Sequence, residues 1–144
     1  MAATILIATD GSERSLKAIG TGIALAKALG ASVVGCAAIP PYPYTVLGGV
    51  SADEEAQYLG TASARAASHL AAVERAARQN GVACTTEIQE NTHPYRAILQ
   101  SAQAHNCDLI VMASHGRNDI AALVLGSETQ KVLALTERPV LVVR

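Results

Sequence analysis

The segment Thr4-Ile5-Leu6-Ile7-Ala8-Thr9-Asp10-Gly11-Ser12-Glu13 decides the fold class. Its first part, Thr4–Thr9, is a short apolar run rich in β-branched residues, which is typical of a buried strand. The residues that follow favour turns and helix starts. Apolar residues then recur at helical spacing until Gly30, which is expected to cap the helix: Leu16, Ile19, Ile23 and Ala26. The segment therefore predicts a strand that runs directly into a helix.

The same alternation continues along the chain. Further strands are predicted at Ser32–Ala38, Val82–Glu87, Asp108–Ala113 and Pro139–Val143. Further helices are predicted from Asp53 to Asn80-Gly81, over Ala97–Ala104 with Pro94 in the first turn, and over Ser127–Thr136. Strands that alternate with helices predict a parallel sheet with helices on both faces, and continuous apolar runs are typical of such covered strands. We expect an open α/β fold of three layers, with five strands in the order 2-1-3-4-5 or 3-2-1-4-5.

Composition narrows the class of protein. The 144 residues fit one domain over 1–144, and 50% apolar against 16% charged residues excludes a disordered chain. A net charge of -1 without a basic stripe argues against a nucleic-acid partner. Neither a basic leader nor an apolar stretch approaching ~18 residues is visible, so we expect no signal peptide, no membrane partner and a cytoplasmic location.

The cysteines are Cys36, Cys84 and Cys107, and none forms a CxxC pair. Their flanking residues are apolar, so we interpret them as small buried hydrophobic residues in a reducing compartment. A catalytic or redox cysteine is the less favoured alternative.

The ligand site is expected at the carboxyl ends of the strands, where the strand order reverses. Two loops meet that condition, Asp10–Ser12 and Ser114–Ser127. In the second, Gly126 and Ser127 come just before a helix, where glycine allows close approach and free N–H groups attract phosphate. The alternative is that Gly116 and Gly126 are turn glycines and Ser127 is an ordinary N-cap. The chain carries no Walker A, GxGxxG, GxSxG or HExxH motif.

The segment Ala113-Ser114-His115-Gly116, followed by nine residues and then Gly126-Ser127, resembles the ATP-binding motif of the universal stress protein family, Gly-x2-Gly-x9-Gly-Ser/Thr. The flanking Asp108–Arg117 and Arg138–Arg144, and the opening Ile7–Ser12, are also similar to that family. The resemblance implies a Rossmann-like fold of the adenine nucleotide alpha hydrolase kind. It also implies ATP, with or without Mg²⁺, as the ligand of a nucleotide-dependent stress-response regulator.

Carried over by position, the resemblance implies a set of nucleotide-binding residues. The ribose and adenine side would be lined by Ala8, Thr9 and Asp10, and adenine would meet the backbone of Ala38. The phosphate loop would comprise Met112, Ala113, His115, Gly116, Arg117, Gly126, Ser127, Glu128 and Thr129.

Several of these residues leave alternatives open. Ala113 replaces the first motif glycine, which costs about 1 kcal/mol or more if the position needs a positive φ and nothing if it only needs a small residue. Glu128 would repel a triphosphate unless it points away or shares a Mg²⁺. Asp10 either accepts from ribose hydroxyls or forms a capping box with Glu13. His115 contacts phosphate, serves as an acid/base group, or is a loop histidine that is solvated or bonded to the backbone.

No general base or set of metal carboxylates is evident, so we predict no catalytic residue and no metal ligand, and we expect any ATP hydrolysis to be slow. The apolar strand Val140–Val143 is expected at a sheet edge, where it would join two copies into a homodimer. The Pro- and Gly-rich loop Ile39–Ala52 is expected to close over the nucleotide. The alternative function is a nucleotide-free interaction module of the same fold. A flavodoxin-like enzyme is disfavoured because aromatic residues are scarce.

Overall fold

The computed structural model describes residues 2–43, 51–115 and 125–144. Strands and helices alternate in the order β1 (Thr4–Ala8), α1 (Glu13–Leu29), β2 (Ser32–Ile39), α2 (Ala52–Gln79), β3 (Cys84–Glu90), α3 (Pro94–Ala104), β4 (Leu109–Ala113), α4 (Ser127–Leu135) and β5 (Val140–Val143). The predicted type and order of these elements are confirmed.

The bounds of β3 differ most from the prediction, which placed this strand at Val82–Glu87. Val82 instead donates its backbone N–H to the carbonyl of Ala77, at 2.9 Å, and so completes the end of α2. Gly81 makes this turn possible with a φ of 67°. The strand therefore begins only at Cys84 and continues to Glu90.

The five strands form one parallel sheet in the order β3-β2-β1-β4-β5. This is one of the two predicted orders. Ile7 of β1 lies between Gly35 of β2 and Val111 of β4. The strand order thus reverses between β1 and β4, and the carboxyl ends of these neighbours meet at one edge of the sheet.

Helices cover both faces of the sheet, as predicted. Ile5 and Ile7 of β1 pack with α1 and α2 on one face, while Leu6 and Ala8 pack toward α3 and α4 on the other. This alternation gives three layers with a core on each side of the sheet. Within the three described stretches, no helix is both long and apolar enough to cross a bilayer.

The cysteines are free thiols, and two of them match the sequence interpretation. Burial raises the pKa of the Cys36 thiol to about 12 and that of the Cys107 thiol to about 11. Both are therefore core residues that stay protonated. Cys84 is only half-buried, which corrects the prediction, because β3 lies at the edge of the sheet.

Candidate functional site

A cavity of about 690 Å³ opens at the carboxyl edge of the sheet, over β1, β2 and β4. One wall is α2, and the opposite wall is formed by the first turns of α3 and α4. The walls belong to opposite layers, because α2 packs with α1 on one face and α3 with α4 on the other. A cavity of this size holds a ligand as large as a nucleotide.

Most of the residues predicted for the site line this cavity. They are Ala8, Thr9, Asp10, Ala38, Met112, Ala113, His115, Ser127, Glu128 and Thr129. Gly126 is buried directly before Ser127. Gly116 and Arg117, as well as residues 44–50 of the predicted closing loop, lie outside the described residues. The arrangement brings together two loops that are distant in sequence, and their role in binding stays a prediction.

The turn after β1 is held by hydroxyl groups. Thr9 Oγ1 accepts from the N–H of Gly11, at 3.2 Å, and donates to Ser15 Oγ, at 3.0 Å. Ser15 Oγ in turn donates to the carbonyl of Ser12, at 2.7 Å. The Thr9 hydroxyl therefore shapes the floor of the cavity, with Ser15, a lining residue that the sequence analysis missed, as its partner.

Asp10 is not the N-cap of α1, so the alternative of a capping box with Glu13 is wrong. Its Oδ1 accepts from the N–H of Ser12, at 3.0 Å, and Ser12 is the N-cap that accepts from Ser15 N–H, at 3.2 Å. The reason is that the short turn closed by the Asp10 side chain delays the start of the helix by two residues. Asp10 itself is exposed and lines the cavity.

The two ends of the loop after β4 are tied together. The N–H of Gly126 donates to the carbonyl of Ser114, at 2.7 Å. Thr129 Oγ1 donates to the carbonyl of Ala113, at 2.9 Å, and both groups are buried. These bonds fix the first turn of α4 against the end of β4.

The first turn of α4 carries no side-chain cap. Gly126, with φ -60° and ψ 153°, is the N-cap, so the alternative that Ser127 is the cap was wrong. Glycine has no side chain that could accept from the first-turn amides, and no side chain among the described residues accepts from them. The N–H groups of residues 127–129 have no carbonyl partner within the helix, and they carry the positive end of its dipole. This turn is suited to an anion.

Ala113 fits its position without strain. Asn106 is the non-glycine residue with a positive φ in the described stretches, and Ala113 does not share that conformation. The position therefore does not require a glycine. The possible cost of alanine in this loop does not arise.

The side chain of Glu128, in the first turn of α4, is directed toward the start of α3. Its Oε2 accepts from the backbone N–H of Tyr95 at the start of α3, at 2.8 Å, and its Oε1 lies 3.7 Å from Lys131 Nζ. The carboxylate therefore serves the N-terminus of α3 and is partly neutralised by the lysine. The ring of Tyr95 lies beneath the Lys131 ammonium, whose Nζ is 5.3 Å from the ring centroid, so Tyr95 packs between the starts of α3 and α4.

The alternative that His115 is solvated or bonded to the backbone was wrong. It is 7% exposed, and its Nδ1 lies 2.9 Å from the hydroxyl of its neighbour Ser114. Its Nε2 is buried and has no hydrogen-bond partner in the described part of the chain. A buried polar atom without a partner carries a desolvation cost, which a ligand group at Nε2 would remove.

The residues of α2 that line the cavity were not predicted from the sequence. This helix presents Tyr58, Thr61, Arg65 and His69 to the cavity. Their spacing of three and four residues places them on one helix face, and this polar stripe beside the apolar stripe was the available signal. The stripe was indistinguishable from an ordinary solvated face.

Comparison with known proteins fits this geometry. The family model described as "Universal stress protein family" matches residues 1–144. A universal stress protein of Thermus aquaticus, encoded beside a QAH/OAS sulfhydrylase, is 35% identical over 98% of each chain. The chain belongs to the universal stress protein family.

Solved structures share the fold. Universal stress protein UspA from Lactobacillus plantarum superimposes with a TM-score of 0.81 at 22% identity, over 99% of this chain and 97% of that one. A universal stress protein in complex with cAMP gives 0.70 at 24% identity, over 99% and 96% of the two chains. One from Archaeoglobus fulgidus in complex with dAMP gives 0.70 at 16% identity, over 100% and 98%. The three-layer fold is therefore common to proteins of this family, some of which bind adenine nucleotides.

Proposed function

We propose that this chain binds ATP in the cavity at the carboxyl edge of the sheet and acts as a nucleotide-dependent regulator of a stress response. The observation that carries the proposal is the uncapped first turn of α4, which lines the cavity across from Asp10. The unpaired Nε2 of His115 beside it supports a polar ligand. The cAMP and dAMP complexes of related folds support adenine as the base. The nine-residue spacing between Gly116 and Gly126-Ser127, which is that of the family's ATP-binding motif, supports a triphosphate.

The lining residues suggest how each part of ATP would be held. Adenine would contact Ala8 and the backbone of Ala38, and the ribose hydroxyls would donate to the Asp10 carboxylate. The N–H groups of residues 127–129 would hold a phosphate. By the family resemblance, Gly116 and Arg117 would complete the phosphate loop.

A Mg²⁺ ion would be held mainly by the phosphates and water. The described residues contain no group of three or more His, Cys, Asp or Glu side chains that could hold a metal. Mg²⁺ on nucleotides commonly keeps several waters and uses one or two carboxylates. Asp10 and Glu128 are the carboxylates in the described lining, and each already accepts from a backbone N–H. This engagement also supports slow hydrolysis at most, because neither carboxylate is poised to activate water.

Thermal unfolding tests the proposal directly. At ~100 times Kd, ATP is expected to add about 2.7 kcal/mol to the free energy of unfolding, which raises Tm by several degrees for a chain of this size. The melting curve is measured with ATP and Mg²⁺, with AMP, with GTP and without nucleotide. A Tm that no nucleotide shifts would contradict ATP binding and favour the nucleotide-free interaction module.

The proposal includes a homodimer joined through β5 and the cytoplasmic location predicted from the sequence. β5 lies at the sheet edge, pairs with β4 on one side, and keeps its residues only half-buried. Replacing Val142 with lysine places a charge on this edge, so we expect light scattering to report the mass of one chain instead of two. Near-UV circular dichroism controls for folding, and a folded variant with unchanged mass would contradict the β5 interface.

A further inference from the structure

Building on the proposed nucleotide site, we propose that Arg65 of α2 binds the phosphate chain and makes the site select nucleotides with more than one phosphate. Arg65 lies outside the motif that carries the family resemblance.

The neighbours of Arg65 on α2 fix its place along the cavity. Tyr58 Oη donates to the carbonyl of Pro40 beyond β2, at 3.4 Å. The His69 ring occupies the space beside Gly11, where an added Cβ would lie 2.2 Å from His69 Nε2. Arg65 lies one helical turn before His69 and on the same face. It therefore lines the cavity near the turn after β1, on the wall that faces α3 and α4.

Arg65 differs in charge from the other ionisable residues that line the cavity. Two acids, Asp10 and Glu128, also line the described part of the cavity, together with two histidines. Arg65 is exposed, and within the described part of the chain its side chain forms no ion pair or hydrogen bond. It is thus the one permanently charged cation of the described lining, with its guanidinium available to a ligand.

A polyphosphate needs such a cation. The positive end of a helix dipole is equivalent to about half an elementary charge, which suits one phosphate group but not a chain of three. Each further phosphate adds negative charge to a cavity that already contains two carboxylates. A guanidinium matches phosphate oxygens with two parallel N–H donors, so Arg65 supplies both the charge and the geometry.

The test compares ligands that differ in phosphate number. Binding of ATP, ADP, AMP and adenosine is measured by calorimetry for the wild-type chain and for Arg65→Gln. We expect ATP to bind about tenfold more weakly to the variant, ADP and AMP to lose progressively less, and adenosine to lose nothing, since the lost hydrogen bonds join two charged groups and only the phosphates accept them. At ~1 M salt the loss for ATP should shrink, because the Debye length falls to about 3 Å.

Matched variants separate the phosphate contact from other effects. Arg75→Gln changes the net charge equally on the same helix but outside the cavity lining, and should leave every affinity unchanged. Arg65→Lys should restore part of the ATP affinity. Equal losses for ATP and adenosine, an unchanged ATP affinity, or an equal effect of Arg75→Gln would each overturn the inference. A wild-type chain that binds none of the four ligands would overturn the proposed function as well.

Discussion

Replacing Ser127 with glutamate is expected to weaken ATP binding by about 100-fold or more while leaving the fold as stable as before or slightly more stable. Both effects arise at the same helix end, which attracts the new carboxylate and would also bind the phosphate that this carboxylate repels. A carboxylate in the first turn of α4 interacts favourably with the helix dipole, by about 0.3–1 kcal/mol. The same carboxylate repels a phosphate that approaches the same amides.

The size of the loss follows from simple electrostatics. Two unit charges ~4 Å apart interact by about 4 kcal/mol at an effective dielectric constant near 20. A 100-fold loss corresponds to about 2.7 kcal/mol, since each factor of ten is about 1.4 kcal/mol. Repulsion of a single phosphate charge is therefore sufficient, even if the new side chain turns partly away.

Ser127 is well placed for this experiment. It is the first residue of α4, it is exposed, and its hydroxyl makes no hydrogen bond within the residues that the structure describes. Removing the hydroxyl therefore breaks no side-chain hydrogen bond among the described residues. The structural bond of this turn belongs to Thr129, which is left unchanged.

Calorimetry with ATP and thermal unfolding without ligand are measured on the same protein samples. Ser127→Gln is the matched control, because it has the size of glutamate without its charge, and it should lose only a few-fold in affinity. If the two variants bind ATP equally weakly, steric exclusion and not charge explains the loss. If the glutamate variant binds like the wild type, the first turn of α4 does not meet phosphate.

The layered fold could be predicted from the sequence because its signals are local. Each strand is a short apolar run, and each helix repeats apolar residues at three- and four-residue steps. The rule that ligands bind at the reversal of strand order then identified the loops after β1 and β4. Asp10 and Ser127, which are far apart in sequence, were thereby assigned to one cavity that both of them line.

The N-cap residues of α1 and α4 were not predictable from the sequence. Asp10 and Ser12 are both good caps, and the choice depends on the turn in which Asp10 accepts from Ser12 N–H. Ser127 also resembles a cap, but the bond from Gly126 N–H to Ser114 fixes the helix one residue earlier. Such choices depend on backbone geometry that residue preferences do not encode.

The roles of the remaining site residues depend on tertiary contacts. The partner of Glu128 is the backbone of Tyr95, 33 residues away in sequence, so the predicted repulsion could not be resolved from local pattern. The stripe from Tyr58 to His69 reads as a solvated helix face. It becomes a cavity wall because this part of α2 lies at the carboxyl edge of the sheet.

Two glycines of α1 are expected to respond in opposite directions to a larger side chain. Gly22 is buried against the sheet, and an added Cβ would lie 2.7 Å from Ile7 Cδ1 and 3.4 Å from Val111 Cγ1. Gly22→Leu should lower the free energy of unfolding by about 3 kcal/mol, because a well-packed core resists added volume. Gly20 has no atom within 4 Å of such a Cβ, so Gly20→Ala should raise it by about 0.5–1 kcal/mol through helix propensity.

Urea unfolding of both variants measures this contrast, with Gly22→Ala as an intermediate step in volume. The residues that Gly22 contacts belong to β1 and β4, the two strands whose ends carry the proposed nucleotide site. α1 can approach these strands closely only because position 22 lacks a side chain. Similar stabilisation by Gly22→Leu and Gly20→Ala would show that α1 does not pack on Ile7, and would contradict the close contact on which the position of the β1–α1 turn depends.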